Sequence, residues 1–269
     1  MAHIFVLNNV LPPSWEAELL GIQIRKLRDQ DFYSLEDLED RPANVNDLRE
    51  QVCLYDEGSL GHHSTEIERE WILFSLALCS SEGVPSIPII IGTSKGRVTS
   101  ASVFERITTP TSLRLYQGIS VNFFIQILVC LKEAYRKSPD KLEITVYRYN
   151  RYVINRNSPD ALLDLSICLE SLFSATTEIR FRFSLGLVKL LGYSDKKSLQ
   201  YFELFKDLYD LRSSYVHGDP KYKKAYKKLA PHFRLLRDSS RKALGLYILY
   251  LKENKPHTWA NYLTEKLVS

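Results

Sequence analysis

An arginine and a histidine five positions apart, Arg212 and His217, are the two residues of this chain best suited to act together on a phosphate. They lie in the stretch Phe205-Lys-Asp-Leu-Tyr-Asp-Leu-Arg-Ser-Ser-Tyr-Val-His-Gly218. A guanidinium forks two hydrogen bonds onto a phosphoryl group, and an imidazole gives or takes a proton near neutral pH. RNA carries its own nucleophile, the 2′-hydroxyl, beside each phosphate. Cutting it without a metal needs a base for the 2′ proton, an acid for the departing 5′ oxygen, and positive charge on the phosphoryl oxygens. A histidine fits either proton role and an arginine fits the third. The alternative reading is plainer: both are ordinary basic residues at a helix C-terminus, where unpaired carbonyls and the helix dipole favour cations.

The neighbouring residues extend this chemistry. Asp210 can pair with a basic residue and orient the motif, or simply be solvated. Downstream, Lys221, Lys223, Lys224, Lys227 and Lys228 interleave with Tyr222 and Tyr226, and residues 219–255 hold 11 Lys/Arg against three Asp/Glu. Lysines meet phosphates without reading sequence, while tyrosines stack on unpaired bases. Lys221, Tyr222, Lys223 and Lys224, directly after His217, are the expected RNA contacts; a solvated lysine-rich helix face is the alternative.

A helix has to carry the pair. Phe205, Leu208, Leu211 and Tyr215 recur at three- and four-residue steps and predict one buried stripe. Gly218 tolerates the left-handed conformation that closes a helix, and Pro220 cannot continue it. Five residues along a helix turn through about 500°, or about 140° net, with a rise of about 7.5 Å. In one unbroken helix Arg212 and His217 therefore diverge. Either the helix breaks before His217, or a second subunit completes the site.

From Ser120 onward the pattern is helical. Phe123, Ile127, Cys130, Leu131 and Ala134 mark one helix that ends at Ser138-Pro139-Asp140. Residues 142–155 read as a second helix, although Val146, Tyr147 and Val153 also allow a strand. Ser158-Pro159 opens a helix through Phe173. Thr177 begins another that stops at Gly192, and Ser194 or Asp195 caps the one bearing the motif. A long helix follows over 223–252, kinked or restarted at Pro231.

The first 118 residues read differently. His3 to Asn8 suggests a strand, and Pro12-Pro13-Ser14 the start of a helix to about Leu27. Residues 30–63 are acidic and turn-rich, expected as loops or short helices, with His62-His63 on a surface loop. Thr65 and Glu68 form a capping box before a helix with Ile67, Trp71, Phe74 and Leu78 buried. Ile87 to Ile91 reads as a buried strand, and residues 97–118 as one or two more. Gly92-Thr-Ser-Lys-Gly96 lacks the spacing of a phosphate loop and is set aside. The expectation is an α+β chain: residues 1–118 a small mixed α/β sensing or regulatory domain, residues 119–269 a helical bundle.

Composition sets outer bounds. The 269 residues are 45% apolar and 12% aromatic, enough for a sizeable core. The net charge of +4 is unevenly spread. Residues 1–70 carry six Lys/Arg and 15 Asp/Glu, and the remainder carries 30 and 17, a split that points the second part towards a polyanion. Cys53, Cys79, Cys130 and Cys168 are scattered, without metal-ligand spacing, and read as reduced core residues. No signal peptide is evident and no apolar run is long enough for a bilayer. The expected setting is cytoplasmic, with no membrane, metal or cofactor.

One family unites these features. The segment 160–218 holds Leu-Glu-Ser-Leu-Phe at 169–173 and Glu-Ile-Arg-Phe-Arg-Phe-Ser-Leu at 178–185. Leu-Leu-Gly follows at 190–192, and Leu-Tyr-Asp-Leu-Arg-Ser-Ser-Tyr-Val-His-Gly at 208–218. It resembles HEPN domains of the ApeA-like group, over roughly the C-terminal half of the chain. The resemblance implies a helical fold and a metal-independent endoribonuclease, of the kind used in phage defence or toxin modules. It places the Arg-x4-His active-site motif on Arg212 and His217. It also implies a homodimer whose two motifs face one cleft, RNA (tRNA among the candidates) as substrate, and a phage-derived trigger or antitoxin as regulator. Where many members carry Asn, Asp or His, this chain has Ser213, which can still donate and accept. Glu170, Glu178, Arg180 and Arg182 fall in the matched part and can approach the motif. A non-catalytic HEPN module binding RNA, nucleotide or a partner protein is the competing expectation. A scaffold held together by helical packing is the third.

Overall fold

The structure is a computed structural model. It describes residues 2–7, 9–10, 17–19, 22–26, 52–56, 65–82, 85, 87, 89–94, 97–103, 111–112, 114–115, 119–155, 158–173, 179–254 and 258–268. The chain divides into two compact units, Met1–Val129 and Cys130–Ser269.

Apolar alternation builds the first unit around a six-stranded sheet. Its strands are β1 (Ala2–Leu7), β2 (Ala17–Leu19), β3 (Ile22–Lys26), β4 (Val52–Asp56), β5 (Ile89–Ser94) and β6 (Arg97–Val103). They run in the order β2-β3-β4-β1-β5-β6, every neighbour antiparallel. Central strands are buried on both faces: Ile4 and Phe5 of β1, and Cys53 and Leu54 of β4, have no exposed surface. Helix α1 (Thr65–Cys79) buries Trp71, Phe74 and Leu78. Glu68, read as half of a capping box, is buried instead with its carboxylate 3.1 Å from Nδ1 of His3. Gly92 to Ser94 continue β5, and Ser94 pairs with Arg97 of β6.

Two expectations for this unit are corrected. Within the helix expected from Pro12 to Leu27, the described residues are strands, with Leu19 paired to Ile22 and Ala17 to Ile24. The period was two: Ile22 and Ile24 are buried while Gln23 and Arg25 are partly exposed. Within the acidic 30–63 stretch, Val52 to Asp56 form β4, central enough to pair with both β1 and β3. Apart from that strand, residues 30–63, with His62-His63, lie outside the described residues.

Helices α2 (Val121–Lys137), α3 (Pro139–Ile154), α4 (Pro159–Glu170), α5 (Ile179–Leu190), α6 (Asp195–Val216), α7 (Tyr222–Leu229), α8 (Phe233–Glu253) and α9 (Trp259–Val268) follow. The unit boundary falls within α2. Ser158 caps α4 with its Oγ 3.0 Å from the Ala161 amide, and Pro159 occupies the first turn. Of the span 142–155, all but the C-cap Asn155 is helical, because Leu142, Val146, Tyr149 and Val153 share one buried face. Helix α4 ends at Glu170, short of Phe173, and α5 closes at Gly192 with φ +69. The 223–252 helix divides at Pro231, where a 3-10 turn over Ala230–His232 separates α7 from α8. Beyond it α9, not anticipated, docks through Trp259, whose indole N–H donates to Leu172 O at 2.6 Å.

Within the second unit α3 packs along α4 and α5 along α6, while α6 also meets α4 and α7. Asp164 on α4, 2% exposed, is held by Arg148 at 2.7 Å and Arg151 at 3.2 Å; a buried carboxylate needs such partners. Two lysines close helix ends, Lys137 on the Leu251 and Lys252 carbonyls and Lys242 on that of Leu191. All four cysteines are buried and none is joined in a disulfide. The chain is thus α+β, and among the described residues no helix is long and apolar enough to cross a membrane.

Candidate active site

Helix α6 carries the motif. Phe205, Leu208 and Leu211 are fully buried, as their spacing predicts. Tyr215, expected in the same stripe, lies at the margin and donates from its hydroxyl to Asp160 Oδ1 at 2.5 Å. That bond, chiefly, pushes the Tyr215 phenol up from its ordinary value. The helix runs unbroken to Val216, with His217 as its C-cap. It then closes through two paired bonds: Asp219 N–H to Ser214 O at 2.8 Å and Gly218 N–H to Tyr215 O at 3.1 Å, with Gly218 at φ +66. This is the left-handed closure that a glycine at 218 predicts. Asp219 next accepts the Lys221 amide at 2.9 Å, leading into α7. The Lys221 amide bond and the Lys221 charge hold the Asp219 carboxyl below the usual range.

His217 is exposed, and among the described residues no hydrogen bond or ion pair engages its imidazole. Arg212 is half-buried, its Nε 3.2 Å from Oε2 of Glu170 at the end of α4. The Nε–H does not point along a hydrogen bond to that oxygen, so the contact is a charge pair beside a buried, unsatisfied donor. The Tyr209 ring lies 5.9 Å from the guanidinium carbon, within cation–π range. Asp210 forms an exposed ion pair with Arg180 of α5. Ser213 gives its carbonyl to the His217 amide at 3.2 Å. Arg182 is exposed on α5, and Glu178 lies outside the described residues.

The downstream segment separates lysines from tyrosines. On α7, Lys223, Lys224, Lys227 and Lys228 fall within about 140° of arc, and Tyr222, Ala225, Tyr226 and Leu229 take the other side. Tyr222 stands edge-on to Tyr215 with ring centres 4.9 Å apart, and Tyr226 edge-on to Phe233 at 6.2 Å. Interleaving in sequence thus becomes two faces, and the tyrosines turn towards neighbouring helices. Lys228 is paired with Asp207 at 2.6 Å, which pushes its ammonium up, and Lys221 lies 3.5 Å from Asp219. Among the described residues no ion pair engages Lys223, Lys224 or Lys227. With Lys242 closing α5 and Arg237 buried, the exposed track is smaller than its basic count suggests.

The structure therefore brings Glu170 to Arg212 and Arg180 to Asp210, and leaves His217 facing solvent. The Asp160–Tyr215 and Asp207–Lys228 contacts went unread in the sequence. Asp160 follows Pro159 and reads as a first-turn acid complementing the dipole; a partner 55 residues away leaves no local signal. Among the described residues no three His, Cys, Asp or Glu side chains are grouped to hold a metal ion. No protein-family model, curated protein or solved structure matches the chain.

Proposed function

We propose that the protein is a metal-independent HEPN endoribonuclease acting through Arg212 and His217 in a cleft shared by two copies. One observation carries this reading. The motif helix is regular through Val216, so Arg212 and His217 point about 140° apart in one chain, and Arg212 lies against α4 while His217 faces solvent. Two such chains, paired at the ends of α6, supply two arginines and two exposed histidines to one phosphate. In the reaction the 2′-oxygen attacks phosphorus as its proton passes to a base, which one imidazole can serve. The P–O5′ bond breaks, the departing oxygen takes a proton from the second imidazole or, more slowly, from water, and a 2′,3′-cyclic phosphate is left. Arg212 balances the charge on the phosphoryl oxygens. The exposed Lys223, Lys224 and Lys227 follow the backbone away from the cut.

Complementation between inactive chains tests the shared cleft. Arg212→Ala and His217→Ala should each lose nearly all cleavage, by roughly 1000-fold or more. Mixing and reassembling the two variants should restore a fraction of it, because a mixed dimer brings one intact arginine to one intact histidine. No recovery, from dimers shown to have exchanged subunits, would place the chemistry within a single chain.

The lysine face of α7 favours a second reading, a non-catalytic module that binds RNA. It predicts that His217→Ala binds and acts as wild type, while Lys223→Glu with Lys227→Glu does not.

A further inference from the structure

Arg212 is held from one edge only. Oε2 of Glu170 lies 3.2 Å from Nε, and both side chains are partly buried, 24% exposed for Glu170 and 29% for Arg212. Tyr209, one turn earlier on α6, sits near the guanidinium carbon at 5.9 Å to its ring centre. Among the described residues nothing hydrogen-bonds or ion-pairs with the terminal amines Nη1 and Nη2. The edge matters. A carboxylate meeting both terminal amines would fill the fork that a phosphoryl group needs. A carboxylate at Nε instead fixes the plane of the guanidinium and leaves the fork open. The buried Nε–H is out of line with its partner, and catalytic contacts of this kind are often misaligned until substrate binds and then tighten.

We propose that Glu170 is a positioning residue, presenting the terminal amines of Arg212 to one phosphoryl group of a nucleic-acid backbone. That the backbone is RNA rests on the nuclease reading above. A masking role, in which Glu170 competes with substrate for Arg212, makes the opposite prediction: removing the carboxylate would speed the reaction.

The test is a cycle of full-length variants, Glu170→Gln, Arg212→Ala and the double variant. Cleavage is followed on a fluorescein-labelled tRNA anticodon stem-loop, and binding on its all-2′-deoxy counterpart, which cannot be cut. Glu170→Gln should lower kcat roughly tenfold to 100-fold, the scale of a misplaced catalytic group, with KM little changed. It should add no further loss in binding or cleavage once Arg212 is alanine. Glu170→Asp should recover part of the rate. If Glu170→Gln does not fold, Arg212→Lys serves, keeping the charge without an Nε edge to hold, and should lose as much as Arg212→Ala.

Glu170→Gln cutting at or above the wild-type rate while Arg212→Ala is inactive would overturn the inference and leave the nuclease reading standing. A loss that persists undiminished beside Arg212→Ala would mark a structural role, and overturn it too. Arg212→Ala cutting like wild type would sink the nuclease reading; the inference would then survive only if Glu170→Gln weakened 2′-deoxy probe binding in an Arg212-dependent way.

Discussion

Individual side chains differ here mainly in what they have been taken away from. Arg212 has lost part of its water and gained Glu170, whereas His217 keeps its exposure at a helix end. That contrast suits a charge clamp beside a proton carrier, which needs access to its substrate. Tyr247 on α8 stands at the other extreme, 2% exposed, and burial pushes its phenol up to about 12 from the ordinary 10.0. The sign follows directly. The folded chain keeps a proton that the unfolded chain has released, so this stabilisation is intact below pH 10 and is lost as pH rises towards 12. A difference of that size is worth roughly 3 kcal/mol. Denaturant melts at rising pH should show the loss, and Tyr247→Phe should flatten it; an equally steep fall in the variant would place the alkaline sensitivity elsewhere. The end of α6 was legible in the sequence because the closing glycine is local. Glu170 at Arg212 and Asp160 at Tyr215 were not paired there, because those contacts depend on how α4 crosses α6.

Helices position the site, and their packing is tight where α5 passes the end of α4. Gly186 faces Phe173 so closely that a methyl group at that position would run into the ring. Phe173 also stands edge-on to Phe183 at 6.0 Å, and Phe183 packs beside Tyr209, one turn from Arg212. Gly186→Ala should therefore destabilise by roughly 1–3 kcal/mol, despite an intrinsic helix gain of about 1 kcal/mol. Thermal melting checks the sign: a more stable variant would show that Phe173 moves aside at no cost. At this scale the second unit was largely readable. Ser158-Pro159, Gly192, Pro231 and Gly218 are punctuation whose effect is local. The paired strands β2 and β3 were missed because their two-residue period is short and follows a Pro-Pro-Ser signal. Strand β4 was missed because its acidic surroundings obscured Cys53 and Leu54, which pairing with β1 buries. Helix α9 earns its place through Trp259, and a bond to a carbonyl 87 residues away cannot be read from periodicity.

Across the whole chain, charge is the feature that sequence reports most directly and structure revises most. Residues 1–70 are acidic and the remainder basic, yet Lys137, Lys242, Arg148 and Arg151 are occupied in holding helices together. On α7, Lys223, Lys224 and Lys227 are exposed and, among the described residues, no ion pair engages them. If the net negative charge of the first 70 residues lowers affinity for a polyanion, deleting residues 1–118 should raise RNA affinity at low salt, and the gain should shrink as salt is added. Unchanged affinity in the truncated chain would remove that role for the charge split. The claim beneath all of this is that guanidinium and imidazole groups from two copies cut a phosphodiester without a metal. Its most direct measurement is incubation of full-length protein with total tRNA and EDTA, wild type beside His217→Ala, followed by chemical analysis of the new ends. The account predicts 2′,3′-cyclic phosphates from wild type and none from the variant. Cutting that disappears with EDTA, or continues undiminished in His217→Ala, would contradict it.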